Sequence, residues 1–183
     1  MADELELMSF VSGQEFEQWL EREHAASPGI LIKFAKKGSG VVSLTYVEAV
    51  EVSLCFGWID GQAKRIDDVF YQQRYTPRRA RSIWSKINTA KAAALIESGR
   101  MRPAGQAQID AAKADGRWEA AYHGPATAQI PAEIAADPQA LRVIEAMNRT
   151  NRYAYISRFH QAKRPETRAR LLDRLHQGHL FHP

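Results

Sequence analysis

At 183 residues, with a formal charge of +4 and a pI near 9.3, the chain can bury one sizeable core and a smaller second one. Hydrophobic residues at 45% and charged residues at 25% exclude a disordered or fibrous chain. The lone cysteine, Cys55, excludes an internal disulfide and a cysteine-based metal cage, and no run approaches the roughly 20 apolar residues of a membrane helix. The acidic start MADELELMSF has neither the basic residues nor the apolar centre of a secretory leader. The expectation is therefore a cytoplasmic protein with no transmembrane segment.

In chain order, Ser12 and Glu15 have capping-box spacing, and Phe16, Trp19 and Leu20 predict an amphipathic helix to about Ala26. Ser27-Pro28-Gly29 is turn chemistry, and Ile30–Ala35 reads as a strand. Lys36-Lys37-Gly38-Ser39-Gly40 lacks the Gly-Lys-Ser/Thr ending of a phosphate loop and is taken as a flexible turn. A second capping box, Thr45 with Glu48, opens a largely apolar helix that Gly57 should end.

Two strands, Trp58–Arg65 and Val69–Tyr75, flank Asp67-Asp68 and predict an antiparallel hairpin. Period-two alternation puts Trp58, Asp60, Gln62 and Lys64 on one face, and Phe70, Gln72 and Arg74 on one face of the partner strand. Thr76-Pro77 ends the second strand. Ser85 is placed to cap a helix that Gly99 stops, and a further helix runs from Pro103 to Asp115. His123 to Pro131 reads as a linker, and three helices follow, the first opened by Asp137-Pro138. The fold expected is α+β: a small, mainly antiparallel three-stranded sheet with covering helices and a C-terminal helical segment. The expected division is an α+β domain over 1–122 and a helical module over 123–183.

The chemistry concentrates between Gly57 and Asn88. Arg74, Arg78, Arg79, Arg81, Lys86 and Lys91 follow one another with no carboxylate between Asp68 and Glu97. Guanidinium groups beside a helix start suit phosphate or carboxylate, so Asp60, Arg74, Arg78, Arg79, Arg81, Ser82, Trp84 and Lys86 are the candidate ligand-binding residues. In this set Asp60 orients an arginine, because nearby cations oppose the raised pKa that a general base needs. The competing account pairs these arginines with the acidic first helix or with Asp67 and Asp68. The partners that suit the loop are an anionic small molecule or the phosphates of a nucleic acid, bound without base reading. An enzyme acting on a phosphorylated or carboxylated small molecule, with Asp60 and Ser82 as its chemistry, is the alternative. No cofactor motif is present. His176, His179 and His182 recur every third residue, but at a frayed end they make a poor metal cage. A second basic run spans Arg149 to Arg174 and reads as a solvated helical exterior.

The strings GWIDG (Gly57–Gly61), QRYTPRRARSIWSKIN (Gln73–Asn88), GRMRPAG (Gly99–Gly105), ADGRW (Ala114–Trp118) and NRYAYISRFHQAKRPETRARLLDRL (Asn151–Leu175) resemble the YdeI/OmpD-associated, or bacteriocin-protection, family over nearly the whole chain. The resemblance implies a small bacterial cytosolic protein that protects against bacteriocins or related stress, with no established catalytic residues. It carries over only motif positions: Arg74, Thr76, Pro77, Arg78, Arg79, Arg81, Ser82, Trp84, Ser85 and Asn88.

Overall fold

The computed structural model describes residues 5–125 and 128–182, which form two units: 5–84 with 88–121, and 85–87 with 122–125 and 128–182. The first unit contains β1 (Leu7–Ser9), α1 (Gly13–Glu23), β2 (Ile30–Ala35), α2 (Tyr46–Cys55), β3 (Trp58–Arg65), β4 (Phe70–Pro77), most of α3 (Lys86–Glu97) and α4 (Pro103–Ala114). The strands lie in the order β1-β2-β4-β3, with β1 parallel to β2 and the other pairs antiparallel. The sheet is thus four-stranded and mixed, where a mainly antiparallel three-stranded sheet was expected: β2, β4 and β3 pair antiparallel, and β1 adds a fourth, parallel strand. β1 escapes a sequence reading because it is three residues long and mostly exposed, so no alternation betrays it.

One face of the sheet makes the core. Ile30, Ile32 and Phe34 of β2 are buried with Tyr75 of β4 and Trp58 of β3, and Phe16 and Leu20 of α1 close over them. Alternate residues of β2 point away, giving its regular buried and half-buried pattern. The indole N–H of Trp58 is satisfied by the His24 carbonyl at 3.2 Å, so a polar atom enters this core with a partner. Cys55 lies in the same core, where burial pushes its thiol up to about 11.

The hairpin departs from simple alternation. The register shifts between Asp60 and Ala63, so Asp60 opposes Tyr75 while Lys64 opposes Gln72. The bulge puts Asp60 and Lys64 on opposite faces, which corrects the shared face expected for them. Buried Gln73 holds the bulge, donating to Asp60 Oδ2 at 3.1 Å and to the Gly61 carbonyl at 3.2 Å. Both capping signals at the N-termini of α1 and α2 are realised in part or whole. Ser12 accepts from the Glu15 N–H at 3.3 Å, and Thr45 with Glu48 makes the complete reciprocal box.

The second unit contains the one-turn α5 (Ala132–Ala135), α6 (Pro138–Ala146), α7 (Arg149–Gln161) and α8 (Pro165–His176) around Ile134, Ile144, Tyr155, Ile156, Phe159, Leu171 and Leu175. Residues 85–87 join it through a bridge between Ser85 and Tyr122. Asp137 caps α6 as expected, accepting from the Gln139 and Ala140 N–H groups at 3.0 Å. The expected frayed end is instead tied down. The fully buried Asn151 accepts from the Phe181 and His182 N–H groups at 2.9 Å and donates to the His182 carbonyl at 2.8 Å, while Tyr155 donates to the His179 carbonyl at 2.9 Å. Asn151→Ala should therefore cost about 2–4 kcal/mol, because it strands several buried polar groups at once. A thermal melt with hydrogen exchange of the Phe181 and His182 amides checks this; an unchanged melt would contradict it.

Candidate functional site

The arginine loop is a built turn. Pro77 pairs with Trp58 at the end of the β3–β4 ladder, and the next N–H, that of Arg78, donates to the Gly57 carbonyl at 2.9 Å. The chain then folds back on itself: the Ser82 N–H donates to the Arg79 carbonyl and the Arg79 N–H donates to Ser82 Oγ, both at 2.9 Å. Arg117 clamps the turn from outside, donating to the Ser82 carbonyl at 2.8 Å while its Nε pairs with Asp115 at 2.7 Å. The hydrogen bond from Arg117 holds the Asp115 carboxyl below its ordinary range.

Inside the turn Arg78 is a buried residue, 6% exposed. Its guanidinium lies 3.6 Å over the Trp84 ring and donates to the Ile83 carbonyl at 3.3 Å. Trp84 in turn packs edge-on against Trp118 at 4.9 Å between ring centroids. A guanidinium suits this place because it is planar and weakly hydrated, so stacking on an indole offsets the water it loses. Arg79 and Arg81 point the other way. Both are exposed, and among the described residues neither guanidinium has an acidic or hydrogen-bonding partner. Ile83, 69% exposed, lies beside them in the chain.

The carboxylates that could have neutralised these cations are used elsewhere. Glu17 and Glu21 of α1 pair with Arg102 at 3.0 and 3.1 Å, and Asp68 pairs with Arg65. Asp67 accepts from the Phe70 and Val69 N–H groups, which hold its carboxyl below the ordinary range. The competing account, in which the loop arginines pair with these acids, does not describe the structure.

The remaining sequence candidates fall in other places. Asp60 accepts from the Tyr46 hydroxyl at 3.0 Å and from Gln73, on the core-facing side of the hairpin. Arg74 is exposed on the opposite side of β4, across from Leu31. Lys86 is exposed in the first turn of α3. The structure therefore gathers Arg78, Arg79, Arg81, Ser82 and Trp84 into one turn, and Asp60 and Arg74 lie on opposite faces of the sheet. Arg117 is the member that the sequence reading missed. Its string, ADGRW, stands out in the sequence, but nothing local shows that it reaches back to Ser82.

The second basic run is mostly structural. Arg152 donates to the Ile144 and Glu145 carbonyls at the end of α6, and Arg168 donates to the Ala162 carbonyl and pairs with Glu133. Arg158 and Arg174 lie over the Phe181 ring at 3.9 and 4.9 Å. The three histidines separate: His176 contacts Asp137 at 2.8 Å, His179 packs edge-on against Phe181, and His182 joins the segment held by Asn151. Among the described residues no group of three or more His, Cys, Asp or Glu could hold a metal, and no helix is long and apolar enough to cross a membrane.

Comparison with known proteins divides the chain. Residues 127–177 match the family described as Bacteriocin-protection, YdeI or OmpD-Associated. That likeness is confined to the C-terminal part, whereas the sequence strings suggested it over nearly the whole chain. The GWIDG and TPRRARSIWS strings lie in a different match. No curated protein and no solved structure matches the chain. Residues 8–108, more than half of the chain and including the whole arginine turn, match the family described as Domain of unknown function (DUF8412), and the chain belongs to that family.

Proposed function

We propose that the protein binds an anionic, phosphate-bearing ligand through the turn from Arg78 to Trp84, and that this binding serves the protective role named by the family that residues 127–177 match. The observation that carries the reading is the division of labour within the turn. Arg78 is spent on the Trp84 ring, which together with the Ser82 and Arg117 hydrogen bonds fixes the backbone, and Arg79 and Arg81 are left at the surface with no carboxylate to neutralise them. The fixed backbone sets where the two side chains leave the turn, and each guanidinium can engage a phosphate with two hydrogen bonds. We place this activity in the cytosol, a reading supported by a single, buried, unpaired cysteine.

Fluorescence anisotropy of a labelled short oligonucleotide, with nucleotide and inorganic phosphate as competitors, tests the reading. Affinity should fall steeply with salt and vary little with base sequence. The double substitution Arg79→Ala and Arg81→Ala should weaken binding and lower the salt slope by about 1.4, at about 0.7 for each single-strand phosphate contact removed. Binding that ignores salt, or that the double variant leaves unchanged, would overturn the proposal.

A further inference from the structure

The second unit holds a cavity of about 380 Å³ along α7, lined among others by Arg149, Thr150, Tyr153, Ser157, Arg158 and His182. We propose that it is a binding site for a small organic phosphate whose hydroxyl-bearing body lies along the helix. This site is independent of the arginine turn and rests on different residues.

Charge is the first argument. Two arginines and a histidine line the cavity and no carboxylate does. Beside them stand hydroxyls from Thr150, Tyr153 and Ser157, which can donate to or accept from a ligand's own hydroxyls, and the apolar Pro125 and Ala154. Size is the second. A volume of this order falls in the range of small-molecule sites, roughly 300–1,000 Å³, and far exceeds one phosphate group.

Position is the third argument. At about 1.5 Å rise and 100° per residue, Arg149 and Arg158 sit about 13 Å apart along the axis and half a turn round, with the hydroxyl residues between them. The cavity therefore has a cation at each end and, between them, an uncharged floor of mixed hydroxyl and apolar groups. Arg158 is held in place: it lies 3.9 Å over Phe181 and donates to the Ala154 carbonyl at 3.0 Å. The Phe181 backbone is fixed by Asn151. Arg149, Thr150 and Tyr153 make no side-chain hydrogen bond or ion pair among the described residues, so their polar groups remain available to a ligand. A phosphate monoester, which carries close to two negative charges near neutral pH, fits this surplus of cations better than a monocarboxylate.

Amide NMR of the full chain, titrated with glucose monophosphate, gluconate, glucose and inorganic phosphate, tests the proposal. The expected result is a saturable shift of amides between 149 and 158 and of His182 with the ester. Binding should be at least about tenfold weaker for inorganic phosphate or gluconate, with no response to glucose. Arg149→Gln should weaken the ester about tenfold or more while leaving the Phe181 amide where it is, because Arg149 does not hold the tail. Ser157→Leu should abolish binding by filling the floor without removing a charge. No saturable shift with any of these compounds would overturn the site, as would full affinity in Arg149→Gln. Equal affinity for free phosphate and the ester would overturn the organic body, and equal affinity for gluconate would overturn the preference for phosphate.

Discussion

Gly105→Ala should destabilise the first unit by more than about 3 kcal/mol, even though alanine normally favours a helix interior over glycine by about 1 kcal/mol. A methyl group at this position of α4 would meet the Cys55 carbonyl, and would lie 2.5 Å from both the Leu54 carbonyl and Met101 Sδ. Two of those three atoms are backbone at the end of α2, so neither can rotate away. The same junction needs Gly57, whose φ of 72° ends α2 and whose added Cβ would lie 2.8 Å from the Ala104 carbonyl. The two glycines let α4 start against the end of α2, where the Arg102 N–H donates to the Cys55 carbonyl at 3.2 Å. Denaturant unfolding measures the effect, and a variant as stable as the parent would show that α4 does not sit this close.

Arg78→Ala should cost about 2–4 kcal/mol, while Arg79→Ala and Arg81→Ala should each change stability by less than about 0.5 kcal/mol. The three residues are indistinguishable by type, and burial alone separates them. Removing Arg78 takes away the stack on Trp84, leaves the Ile83 carbonyl without its donor and opens a hole beside the indole. Arg79 and Arg81 are exposed and unpaired among the described residues, so truncating them removes no native contact of that kind. Chemical denaturation of the three single variants decides it. Equal losses at all three positions would mean that the turn is not organised around Arg78.

Much of this was legible from residue order because it rests on local physics. Thr45 with Glu48, Asp137 before Pro138, and the Gly57 stop are signals set within a few residues, and each appears in the structure. The hairpin strands were legible for the same reason. What was not legible depends on distant partners. The bulge at Asp60 is held by Gln73 from the neighbouring strand, and it reverses the face that simple alternation gave Lys64. The choice of Arg78 as the buried arginine is made by Trp84, and Trp84 is itself set by Trp118. The tail was expected to fray because the groups that hold it, Asn151 and Tyr155, lie 24 to 31 residues earlier and their burial has no signature in sequence. In the candidate site, the surplus of cations was readable from the missing carboxylates, and which arginines stay exposed and the clamp from Arg117 were not.

Arg78 builds the turn, and Arg79 with Arg81 uses it. Thermal melts of the parent, Arg78→Ala and the double variant Arg79→Ala, Arg81→Ala, each with and without a short oligonucleotide at low salt, test that most directly. The prediction is a stabilised parent, by about 2.7 kcal/mol when the ligand is about a hundredfold above its dissociation constant. The double variant should melt with the parent when unliganded and gain little or nothing from the oligonucleotide, and Arg78→Ala should melt lower by about 5 °C or more without ligand. A double variant that melts as low as Arg78→Ala, or that keeps the parent's full ligand-induced stabilisation, would contradict the account.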